Sequence, residues 1–82
     1  MEVGDIVVLK TPKEIQLEYG AFNEKDFIRV GDQVYTKEMH DQYGRYLFSI
    51  RRIEGDRVIF FKNHNGFWYK VTKGMLKKKY KI

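Results

Sequence analysis

The sequence predicts a single mostly-β domain over residues 1–82, with about five strands, one short helix in the first long loop and a helical turn before the last strand. Three observations predict it. The segments Val3-Gly4-Asp5-Ile6-Val7, Val30-Gly31-Asp32-Gln33-Val34 and Glu54-Gly55-Asp56-Arg57-Val58 share an opening that reads as a turn followed by a strand. Between Arg45 and Val71 the apolar residues recur with the two-residue period of a sheet, while one segment only carries full helix punctuation. The chain has 82 residues, 43% of them apolar and 16% aromatic, which is enough for one packed core and too little for two. It contains no cysteine, so packing must stabilise it without disulfides or thiolate-bound metal, and a reducing compartment suits it.

Taken in order, Gly4-Asp5 opens the first strand, Ile6 to Leu9. In Thr11 to Gly20, Thr11 is placed to cap a helix, Pro12 fits its first position, Glu14 completes a capping box and Gly20 ends it. Ile15 and Tyr19 are expected to face inward. Residues Arg45 to Val71 read as a three-stranded meander. Tyr46, Phe48 and Ile50 share one face of its first strand and Leu47, Ser49 and Arg51 the other; the chain turns at Glu54-Gly55-Asp56 and again at Asn63-His64-Asn65-Gly66. The expected barrel interior is Val7, Leu9, Phe48, Ile50, Val58, Phe60, Tyr69 and Val71. Thr72 to Leu76 fits one helical turn, and Lys77 to Ile82 a last exposed strand or tail.

That order of elements is the order of a small Src-homology-3-like (SH3-like) barrel. The run Gly4-Asp5-Ile6-Val7-Val8, Thr11-Pro12-Lys13-Glu14-Ile15 and Glu18-Tyr19-Gly20 resembles the start of small phage and prophage proteins of unknown function. Met39, Tyr43-Gly44, Ile50, Ile53, Trp68-Tyr69-Lys70-Val71 and Met75-Leu76 resemble the mind-bomb type of SH3-like repeat, departing from it at Val71, where that pattern often has a second aromatic. The resemblance implies a protein-binding module.

Charge narrows the function classes. The net charge is +5, yet residues 1–44 hold five Lys or Arg against nine Asp or Glu, and residues 45–82 hold eleven against two. A basic carboxy half suits a polyanion or an acidic protein surface, and it also serves solubility. The expected binding residues are Arg45, Arg51, Arg52, Arg57, Trp68, Lys70, Lys73, Lys77, Lys78, Lys79 and Lys81. By alternation Trp68 either stands displayed beside Lys70, as a stacking platform, or closes the barrel end against Met75 or Leu76. The lysines either neutralise phosphates or guard an edge strand against aggregation.

Catalysis finds no footing. Ser49 lies mid-strand, His40 and His64 are expected in loops, and neither a nucleophile with an oriented base nor a zinc ligand set is present. Glu24 and Asp26 fit a solvated acidic loop. No metal, cofactor or small-molecule substrate is expected. The amino terminus does not read as a signal peptide, and apolar runs of four residues fall short of the roughly 20 a membrane helix needs, so a cytoplasmic location is expected. The leading reading is a non-catalytic module that binds nucleic acid, or a complex associated with it, through its basic carboxy-half face. The alternative is a phage-type interaction or inhibitor protein that docks on a host or viral protein.

Overall fold

In the computed structural model, residues 1–62 and 68–80 are described, with side chains described for 1–59 and 70–79. The expectations that fall on 63–67 and 81–82, including the second meander turn, His64, Phe67 and Lys81, lie outside the described residues. Strand β1 (Ile6–Leu9) leads into helix α1 (Pro12–Tyr19), then strands β2 (Phe27–Val30) and β3 (Gln33–Thr36), and helix α2 (Lys37–Tyr43). Strands β4 (Phe48–Ser49), β5 (Arg52–Glu54), β6 (Arg57–Lys62) and β7 (Trp68–Thr72) follow. A 3-10 turn (Lys73–Met75) precedes β8 (Leu76–Tyr80). The described strands form three small antiparallel sheets, β4-β1-β8, β2-β3 and β5-β6-β7.

All three Gly-Asp motifs turn the chain into a strand, and Gly4, Gly31 and Gly55 each sit at positive φ, where a side chain is disfavoured. Gly31 is the most constrained. It turns β2 into β3, and a Cβ there would lie 3.1 Å from Asp56 Oδ2 and 3.3 Å from Thr72 Cγ2.

Helix α1 forms as its punctuation predicts. The Glu14 N–H donates to Thr11 Oγ1 at 3.2 Å and the Thr11 N–H donates to Glu14 Oε1 at 3.0 Å, so two otherwise orphaned donors are satisfied reciprocally. Ile15 is buried as expected, but Tyr19 is 42% exposed. It lies over the 3-10 turn, where its hydroxyl occupies the space a Cβ on Gly74 would need, so it covers the turn without entering the core.

Two departures separate the expected five strands from the eight observed. The first long loop holds the β2–β3 hairpin and α2 in addition to α1, so His40 is helical and not in a loop. The first meander strand is broken: Phe48 pairs with Val7 and Ser49 with Ile6, whereas Arg52, Ile53 and Glu54 pair with Ile59, Val58 and Arg57. At the break the Ile50 N–H donates to Asp5 O at 3.0 Å and the Arg51 N–H to Ile59 O at 2.9 Å, which passes the chain from one sheet to the next.

The core gathers Val7, Leu9, Phe48, Ile50, Val58 and Val71, all expected, with Ile15, Ile28, Val30, Tyr35, Met75 and Leu76. The side chains of Phe60 and Tyr69 lie outside the described residues; the β6–β7 register shifts between Ile59 and Phe61, setting Phe61 opposite Tyr69. Tyr46 shares its face with Phe48 and meets it edge-on at 6.3 Å between ring centres, yet remains 51% exposed. Thr72, fully buried, is satisfied twice: its N–H donates to Gln33 Oε1 at 2.9 Å and its hydroxyl donates to Val30 O at 3.2 Å. Those two bonds fasten the hairpin to β7.

Candidate interaction surface

The sheet register decides which of the basic residues lie together. Arg52, Ile59 and Lys70 are direct cross-strand partners, so they form one row on one face of β5-β6-β7, and Glu54, Arg57 and Thr72 form the next row on that face. Ile53, Val58 and Val71 form the intervening row on the opposite face, with Val58 and Val71 buried in the core and Ile53 packed against it. Arg52 and Lys70 are exposed and flank Ile59, which is only 2% exposed. Lys77, Lys78 and Lys79 belong to β8, in the other three-stranded sheet. The single basic face expected from the sequence is thus divided between two sheets.

Several of these charges are internally committed. Lys77 Nζ lies 2.8 Å from Glu14 Oε2, Lys78 Nζ lies 3.2 Å from Asp5 Oδ2, and Arg52 reaches Glu54 at 3.4 Å. The Arg57 guanidinium donates to Asp32 at the hairpin tip. Among the described residues Arg45, Arg51, Lys70, Lys73 and Lys79 make no ion pair; all but the half-buried Lys73 are exposed. The Lys73 N–H donates to Asp56 O at 2.8 Å, so its backbone extends the β6–β7 ladder. Trp68 pairs with Lys62 at the start of β7, and its side chain lies outside the described residues.

The paired carboxylates respond accordingly. The bond from Lys77, followed by the N–H of Thr11, holds Glu14 down at about 2 against a usual 4.5. The N–H of Glu2 and then Lys78 lower Asp5, and the Arg57 guanidinium lowers Asp32. Because the folded-state value of Glu14 lies below its unfolded value, its contribution to stability is present above about pH 4.5 and is lost as pH falls from there through about 2. Glu14→Gln keeps an acceptor in the capping box and removes the charge. The stability gap between parent and variant, followed by thermal melts, is expected to narrow as the pH falls across that window; a gap that stays constant would contradict the assignment.

Ser49 is exposed on β4, His40 lies half-buried in α2, and no cluster of three or more His, Asp or Glu side chains is placed to hold a metal among the described residues. No helix among them is long and apolar enough to cross a membrane.

A feature the sequence reading missed lies beside this surface. A slot of about 410 Å³ opens between the hairpin and β7, lined by Asp32, Gln33, Val34, Met39, Lys70 and Val71. The Gly31-Asp32 turn was the available signal, since a two-residue turn fixes which residues of β3 face outward. No protein-family model, curated protein or solved structure matches this chain.

Proposed function

We propose that this chain is a non-catalytic binding module built as an SH3-like barrel, and that it binds nucleic acid through the cations that flank β5-β6-β7. Support for the barrel lies in the strand order: β1 pairs with both β4 and β8, the chain crosses between sheets at Ile50-Arg51, and a 3-10 turn separates β7 from β8. The observation that carries the binding reading is the row Arg52, Ile59, Lys70 with Arg57 beside it. It sets three cations around one sheet face whose middle residues, Ile59 and Thr72, are buried, and the carboxylate in these rows, Glu54, is itself paired to Arg52. Arg51, exposed and unpaired among the described residues, adjoins the row at the sheet crossing. A phosphate backbone competes readily for such cations, because exposed ion pairs contribute only about 0–1 kcal/mol.

Fluorescence anisotropy with labelled oligonucleotides tests this. With about six phosphate contacts on duplex, affinity is expected to fall about a thousandfold between roughly 50 and 200 mM salt. Arg52→Gln with Lys70→Gln is expected to weaken binding to all sequences alike and to reduce the salt slope by about one per lost contact. Lys77→Gln, on β8 in the other three-stranded sheet, is expected to change it less. Absence of binding at the lowest salt, or binding indifferent to the Arg52 and Lys70 changes, overturns the reading.

A further inference from the structure

The ladder parity exposes an open strand edge inside the slot. The Val58–Val71 pairing continues into the bond from the Lys73 N–H to Asp56 O, so Val71 and Lys73 direct their backbone groups to β6. Thr72 and Lys70 therefore direct theirs away from β6. The bond from the Thr72 N–H to Gln33 Oε1 fits that direction, and it closes one end of the slot. By the same alternation the N–H and C=O of Lys70 point away from β6, on the side where Lys70 lines the slot with Val34 and Met39.

The one carboxylate that lines the slot is paired, and the unpaired charge beside it is positive. Asp32 is bound by Arg57, while Lys70 and Arg29, the cross-strand neighbour of Val34, are exposed and make no ion pair among the described residues. Val34 is exposed, and Met39 packs only partly against the core. An occupant therefore meets a backbone donor and acceptor, an apolar wall and two uncommitted cations.

We propose that the slot between β3 and β7 takes an extended acidic segment of a partner protein, which adds to β7 as a further strand. Its backbone pairs with Lys70, its apolar side chains lie on Val34, Met39 and Val71, and its carboxylates face Lys70 and Arg29. Alternation of acidic and apolar residues satisfies both demands at once, because successive side chains of a strand point to opposite faces. This proposal does not rest on the nucleic-acid reading; the two sites share Lys70, and changes at Arg52 and Arg29 distinguish them.

The probe is a labelled hexapeptide of alternating glutamate and valine, with the lysine–valine peptide of the same pattern as control. Saturable binding of the acidic peptide is expected, with little binding of the control. Binding is expected to slow hydrogen exchange at the Lys70 amide by about tenfold, as one new backbone hydrogen bond implies. Arg29→Glu, at an exposed position, is expected to weaken the acidic peptide about tenfold and to narrow its advantage over the control. Arg52→Gln is expected to leave peptide binding unchanged while weakening oligonucleotides. Failure of the acidic peptide to bind at millimolar concentration, equal binding of both peptides, or an unprotected Lys70 amide in the complex each overturns the proposal.

Discussion

Phe48→Ala is expected to lose about 3–5 kcal/mol of folding free energy, most of the stability of a domain this size. Phe48, on the edge strand β4, is buried opposite Val7 of the central strand β1 and belongs to the core. Sheet pairing on both sides of β1 limits how far the strands can collapse into the space the ring leaves, so most of the cavity cost persists. The midpoint of thermal unfolding is expected to fall by at least about 12 °C. Leu47→Ala provides the contrast. Leu47 precedes Phe48 directly but is exposed, and its truncation is expected to stay within about 0.5 kcal/mol. A one-residue slip in the register would exchange the two outcomes, so urea denaturation of both variants tests the strand assignment as well as the core.

That contrast was legible from alternation alone, and so were the parts of the fold governed by local chemistry. The capping box at Thr11 and Glu14, the three Gly-Asp turns and the 3-10 turn after Thr72 each depend on a few adjacent residues whose side chains or φ angles have one good solution. The hairpin was half legible: Gly31-Asp32 announced its turn, but Phe27 to Val30 adjoins a run of charged residues that obscured its period. Helix α2 was missed because Thr36 caps it without a glutamate three residues on. Met39 and Tyr43, one turn apart, are the apolar contacts that tie it to the core. The register shifts at Ile6/Val7 and Ile59/Phe61 lay beyond any pattern reading, since a bulge is set by the partner strand.

The basic surface shows a different limit. Counting lysines along the chain identified the residues but not their company. The pairs Lys77 with Glu14 and Lys78 with Asp5 join positions more than sixty residues apart in sequence, and only the β1–β8 pairing brings them together. Conversely, Arg52 and Lys70 become neighbours across Ile59 through two strand pairings. The acidic amino half and the basic carboxy half thus partly neutralise each other on folding. What remains for a partner is the set that the fold leaves unpaired, such as Arg51 and Lys70, together with exposed pairs such as Arg52 with Glu54 that a phosphate displaces readily.

Tyr35→Ala is the companion test, and it addresses the hairpin, of which the sequence showed the Gly31-Asp32 turn and the strand after it. Tyr35 is the largest fully buried side chain among the described residues, lying on β3 of the hairpin, and its hydroxyl donates to the backbone carbonyl of Lys10 just beyond β1. The ring joins the hairpin to the core, with Phe22 beside it at 6.4 Å between ring centres, while the hydroxyl pins the hairpin to the exit of the first strand. Burial raises the hydroxyl's pKa above the ordinary tyrosine value, which favours the neutral, donating form. Truncation to alanine is expected to cost about 3–5 kcal/mol. Tyr35→Phe retains the packing and leaves the Lys10 carbonyl without its donor, which is expected to cost about 1–3 kcal/mol. Denaturant titration separates the two terms, and the phenylalanine variant is expected to keep the same dependence on denaturant, because it buries the same surface. A phenylalanine variant as stable as the parent would remove the hydroxyl bond from the account. An alanine variant that lost less than about 1 kcal/mol would show that the hairpin is an appendage and not a wall of the core.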